Sequence, residues 1–155
     1  MKIRVATYNI HKGVSAIRAE PRVLALKQAI GMFDADVVFL QEVQGKHDLK
    51  AAKYGAEHLG HRHWPAAAQH EYFAGESRHL HAAYGMNAVY DHGHHGNALL
   101  SAFPIANHAN HTSPTTPMNS AASCTACSIP STGRCIAMWY ICDCSRPGAA
   151  ARPRR

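Results

Sequence analysis

Two short apolar runs limit what this chain can fold into. Asp36–Val37–Val38–Phe39–Leu40 is a continuous β-branched and aromatic stretch, the pattern of a strand buried on both faces. Val5–Ala6–Thr7–Tyr8 reads as a second strand. Each run ends in a polar residue, Asn9 after the first strand in the chain and Glu42 after the other. An amide oxygen and a carboxylate at two adjacent strand ends can share one hard cation such as Mg²⁺, which prefers oxygen ligands. Each residue also has a plain reading, Asn9 as a turn residue and Glu42 as a solvated carboxylate.

Between these runs, Glu20–Pro21 is predicted to open a helix, because proline suits a first helical turn. Val23, Leu26, Ile30 and Phe33 then share one face at helical spacing and read as core. Lys12, in the loop after the first strand, is either a phosphate contact or a solvated lysine. From Gln44 to His81 the sequence is rich in Ala and His and poorly periodic. It suggests a short helix around Leu49, Ala52 and Ala56, and another within Glu71–Leu80. His58, His61, His63, His70, His79 and His81 lack supporting carboxylates at metal-ligand spacing, so they read as surface residues. Ala83–Tyr90, a glycine-containing turn over Asp91–Gly96, and Asn97–Ser101 form a hairpin pattern. His95 and Asn97 are candidates for phosphate contact, weighed against a plain turn role.

Three strings in order resemble one family. Thr7–Tyr8–Asn9–Ile10, Leu40–Gln41–Glu42–Val43 and the run from Gly93 to Ile105 (GHHGNALLSAFPI) look like motifs of the endonuclease/exonuclease/phosphatase superfamily. These are metal-dependent phosphodiesterases related to pancreatic-type deoxyribonuclease. The resemblance covers residues 1 to about 111. It implies an α/β (α+β) fold: the N-terminal half of a four-layer α/β sandwich, with a mostly antiparallel sheet and flanking helices. It further implies catalytic and metal-binding roles for Glu42 and Asn9, with Mg²⁺ or Mn²⁺ as cofactor. The implied partner is a phosphate-ester substrate, a nucleic acid or a phospholipid head group. A formal net charge of +6 suits such a polyanion, although Arg152, Arg154 and Arg155 sit at the very end. No signal peptide or membrane-spanning run is read from the sequence, which makes a cytoplasmic location the expectation.

The composition changes near His111–Thr112. All 13 histidines lie at or before His111, and all 5 cysteines lie after it. No leucine follows Leu100, no glutamate Glu76 and no lysine Lys53, although these are common residues in globular domains. Residues 112–155 are therefore expected to form an irregular, disordered tail beside a partial domain over residues 1–111. Cys124, Cys127, Cys142 and Cys144 offer a zinc pattern, but the second pair is spaced one residue short.

The genetic code gives another account of the tail. If one nucleotide is lost near residue 111, the original frame joins the third base of each codon to the next two. Met138 and Trp139 have unique codons, so Met138–Trp139–Tyr140 must conceal Val-Val. Tyr140–Ile141–Cys142 then permits His-Leu, giving "VVHL", a family motif with a catalytic His. Residues 119–126 permit Gln-Arg-Gly-Leu-Leu-His-Cys, which resembles the family strand before it. Residues 112–155 thus read as out-of-frame sequence.

As translated, the chain lacks the family's "HL", "GDFN" and "SDH" motifs, which supply the water-activating groups. The expectation is a truncated and inactive phosphoester hydrolase whose inner sheet face has no partner layer. The alternative is a small non-enzymatic metal- or nucleic-acid-binding protein with a Cys-rich zinc tail.

Overall fold

A computed structural model describes residues 2–55, 61–75, 78–112, 123–131 and 134–142. Its larger sheet contains β1 (Val5–Asn9), β2 (Val37–Gln44), β3 (His81–Tyr90) and β4 (Gly93–Ser101), in the order β1-β2-β4-β3. β1 and β2 run parallel, while β2–β4 and β4–β3 are antiparallel. The helices are α1 (Val23–Gly31), α2 (Asp48–Tyr54) and α3 (Gln69–Ala74). This is a mixed sheet with flanking helices, an α/β fold as the sequence implies.

The β2 run is buried as its composition requires: Val37, Val38 and Leu40 are each 0% exposed. Alternate residues serve opposite faces. Val38, Leu40, Ala98 and Leu100 join Val23 and Ile30 of α1, Phe73 of α3 and Trp64 in one core. Val37, Phe39, Ala83 and Leu99 form a second cluster, flanked by Ile3, Phe103 and Ile105. The inner face at these four residues is therefore buried and not left open.

Several boundaries differ from the sequence reading for identifiable reasons. α1 starts at Val23, two residues after Pro21, because the Arg22 N–H donates to the Gly13 carbonyl at 2.8 Å and Pro21 bridges to Val14. α3 starts before Glu71 and ends at Ala74. β4 begins at Gly93, not Asn97, since Tyr90 already pairs with Gly93 across a turn at Asp91–His92. The stretch read as a turn from its glycines is thus mostly strand, paired on both sides.

A second sheet, β5 (Asn107–Thr112), β6 (Ser123–Ser131) and β7 (Arg134–Cys142), is antiparallel in that order. β3 touches β5 and β6, and Asn110 Nδ2 donates to the Met86 carbonyl at 2.8 Å. An irregular tail is expected from residue 112, yet β6 and β7 lie within it as paired backbone. Residues 113–122, 132–133 and 143–155 lie outside the described residues, as do His58 and Cys144. Among the described residues no group of three or more His, Cys, Asp or Glu side chains could hold a metal. The histidines read as surface residues are not all exposed: His79 is 1% exposed, with its Nε2 2.9 Å from the Ala35 carbonyl oxygen. No described helix is long and apolar enough to cross a membrane, which says nothing of a β-barrel.

Candidate metal centre

The parallel pairing of β1 with β2 puts Asn9 directly beside Gln41, one residue from Glu42. Glu42 does not lie beyond the strand end, as the sequence suggests. It lies inside β2, at a bulge. Leu40 pairs with Ala98 and Val43 with Gly96, so Gln41 and Glu42 together oppose the single residue Asn97. Glu42 takes φ +53°, a left-handed conformation uncommon for a residue with a Cβ. The extra residue breaks the strict alternation of β2 and turns the carboxylate toward the end of β1.

There Asn9 Nδ2 donates to Glu42 Oε1 at 3.1 Å. The Asn9 Oδ1 accepts from the His11 backbone N–H at 2.9 Å. Asn9 therefore offers Glu42 its amide nitrogen, where the sequence suggests an oxygen aimed at a shared ion. The other carboxylate oxygen, Glu42 Oε2, has the His11 ring Nδ1 at 3.9 Å. The Glu42 side chain is 32% exposed, open enough to exchange water for an ion. His11 is missed by sequence reasoning. It reaches the site because His11 and Lys12 both take positive φ, +48° and +57°, in the 3-10 turn after β1.

Of the three weaker candidates, His95 lies within the electrostatic reach of Lys12 and Glu42. Burial holds its pKa below the ordinary 6.5, Lys12 adds to the effect and Glu42 opposes it. Its Nδ1 is buried without a partner among the described residues. Asn97 opposes the Glu42 bulge but is only 1% exposed, and both its amide atoms are unpartnered among the described residues. A group so enclosed touches a ligand only if the surrounding strands part. Lys12 is half-buried, with its backbone carbonyl facing inward to accept from Gln69 Nε2.

The Glu42 carboxylate, oriented by the Asn9 amide, fits a Mg²⁺- or Mn²⁺-type ion that keeps most of its waters, because such ions are commonly held through one or two carboxylates. It does not fit a zinc site closed by protein ligands.

Three partly buried histidines set a pH dependence. His47, His70 and His95 are each held below 6.5, burial being the main cause, with Lys50 adding to it for His47. Above 6.5 both folded and unfolded chains are neutral at these rings. Below it the unfolded chain takes up protons that the folded chain resists, so stability falls as pH drops. Asp36, held below 3.8 by the Arg4 backbone N–H, loses its contribution only at lower pH. Urea midpoints are expected to fall between about pH 6.5 and 5. A flat profile over that window, measured by circular dichroism, would contradict the burial of these rings.

The sequence model of the "Endonuclease/Exonuclease/phosphatase family" matches residues 6–134. "Uncharacterized protein YbhP" of Escherichia coli strain K12 and of Shigella flexneri is 39% identical over 105 residues. That match covers 68% of this chain and 38% of the relative, so the chain matches well under half the relative's length. Among solved structures, an endonuclease/exonuclease/phosphatase from Beutenbergia cavernae superposes with a TM-score of 0.67 at 19% identity. The match covers 95% of this chain and 39% of that one. A family protein from Leptotrichia buccalis gives 0.62 at 14% identity, covering 96% and 57%. A humanized D. rerio TDP2 gives 0.53 at 16% identity, covering 93% and 49%.

Proposed function

We propose that this chain, which belongs to the endonuclease/exonuclease/phosphatase family, carries the first half of a divalent-metal-dependent phosphoester hydrolase site and is inactive as translated. The observation that carries this reading is the Asn9–Glu42 hydrogen bond at the bulge, joining the ends of two parallel strands. Glu42 is the metal ligand, Mg²⁺ or Mn²⁺. Asn9 fixes the carboxylate's rotation through Oε1 and leaves Oε2 turned toward open space and His11. A bound ion neutralises the phosphate and stabilises charge developing on the leaving oxygen.

Lys12 and His95 add donors on the phosphate side, while Asn97 backs the bulge from β4. A histidine and an Asp/Asn pair to deprotonate water have no counterpart here: residues 112–155 contain no His, and Asp143 is their only acid. Removal of a general base alone lowers rates by about 10²–10⁴. The partial domain over 1–111 and the out-of-frame origin of 112–155 belong to the same reading. The forced Val-Val and the loss of leucine, glutamate and lysine support them.

The test is Mn²⁺ binding, followed by the loss of the free ion's paramagnetic resonance signal. The chain is expected to bind one ion, and Glu42→Ala to weaken binding by at least about tenfold. Equal binding by the two chains would remove Glu42 from the site and overturn the reading.

A further inference from the structure

Gln69 is a polar side chain in the core, 1% exposed, at the first position of α3. Its sequence surroundings, Ala-rich and aperiodic, give no reason for a buried carboxamide. Its contacts do. Oε1 accepts from the Gln44 backbone N–H at 2.9 Å, and Nε2 donates to the Lys12 carbonyl at 3.1 Å. Gln44 is two residues after Glu42, and Lys12 is three residues after Asn9. One side chain thus ties together the two backbone segments that follow Asn9 and Glu42.

Both segments need holding. His11 and Lys12 take positive φ, and Glu42 takes φ +53° at a bulge that interrupts the β2–β4 ladder. Such conformations are strained for residues with a Cβ and persist only where the surroundings fix them. Gly13 is shaped for the same contact. Its φ is +73°, and a Cβ there would overlap Gln69 Nε2 and lie 3.0 Å from Gln69 Cδ and from Val23 Cγ2. The missing side chain lets the Gln69 amide approach the turn. α3 is itself fixed by Phe73, 0% exposed in the core.

We infer that Gln69 is a positioning residue that clamps the turn after β1 to the end of β2, and so holds Asn9 against Glu42. The inference rests on the metal-site reading for its functional meaning, but the clamp has its own readout. In Gln69→Met, which keeps the length and removes both hydrogen bonds, hydrogen exchange of the Asn9 side-chain amide, followed by NMR, is expected to accelerate about tenfold. Mn²⁺ affinity is expected to fall about tenfold, the scale seen when partners behind a metal ligand are lost. Both are measured at temperatures where circular dichroism shows the variant folded.

Gln69→Glu is the second variant. At a pH where its carboxyl is ionised, it keeps the acceptor for Gln44 N–H and loses the donor to Lys12. Its added negative charge would by itself tighten cation binding, so weaker Mn²⁺ binding in this variant reports lost positioning. If Gln69→Met does not fold, Gln69→Glu decides. Unchanged Asn9 exchange in the folded Met variant, or in the Glu variant if the Met variant does not fold, overturns the clamp. Accelerated Asn9 exchange in a protein whose parent binds no Mn²⁺ upholds the clamp and removes the metal reading.

Discussion

Gly96→Ala is expected to destabilise the chain by at least about 3 kcal/mol. A Cβ on Gly96 would overlap the carbonyl oxygen of Gly85 and lie 2.9 Å from the Met86 Cα. These are backbone atoms of the neighbouring strand β3, and no side-chain rotation relieves the clash. The strand cannot move aside freely either. Gly96 pairs with Val43 immediately past the Glu42 bulge on one side, and with Met86 immediately before the Asn87 irregularity on the other. It is the residue on which two register shifts converge. Overpacking in a core typically costs about 1–3 kcal/mol, and a backbone clash stands at or above the top of that range. Folded domains have only about 5–15 kcal/mol in total.

Gly31→Ala is the control. Nothing lies within 4 Å of its added Cβ at the end of α1, and alanine there is expected to stabilise by about 0.5–1 kcal/mol. Urea midpoints of the two variants should move in opposite directions. A Gly96→Ala midpoint equal to the parent's would mean that β3 and β4 are not packed as closely as described.

The second large effect concerns activity. Under the proposed reading, reinserting one nucleotide near the codons for His111 and Thr112 restores a chain that continues through "VVHL" toward the missing motifs. That chain is expected to hydrolyse bis-p-nitrophenyl phosphate with Mn²⁺ at least about 10² faster than the present one, the smallest usual contribution of a general base. Glu42→Ala in the restored chain should return the rate to the present level. Stop codons in the restored frame, or an unchanged rate, would make the tail genuine. The family match runs on to residue 134, past the proposed boundary, and β6 and β7 pair within the tail. The experiment therefore separates a tail that completes the fold from one that only occupies its place.

What could be read from the sequence was what local pattern encodes. The unbroken run from Val37 to Leu40 needs no partner to be recognised as a buried strand, and Val23, Leu26, Ile30 and Phe33 mark their helix by spacing alone. Asn9 and Glu42 were findable because each closes such a run. The left-handed turn of Glu42 was not, because it exists only through pairing with β4, where Asn97 faces two residues at once. His11 was hidden for the same reason: its approach to Glu42 depends on backbone angles that its residue type does not announce. Gln69 carried no signal at all, since its role is to satisfy backbone groups 57 and 25 positions away. β5 was missed because Asn107–Thr112 is polar and its described residues are exposed, without the apolar alternation of a half-buried strand.

The parallel pairing of β1 and β2 also bears on when the candidate site comes into being. β1, α1 and β2 end by Gln44, so Asn9 and Glu42 emerge during synthesis long before any residue of the tail. Gln69 and the β4 residues opposite the bulge come later. Domains are built vectorially at about 5–20 residues per second. The two polar residues can thus meet within seconds of each other, while the clamp and the bulge that fix their geometry await the middle of the chain. Whatever happens after His111, by mutation or by design, acts on a hydrogen-bonded Asn–Glu pair that translation has already delivered.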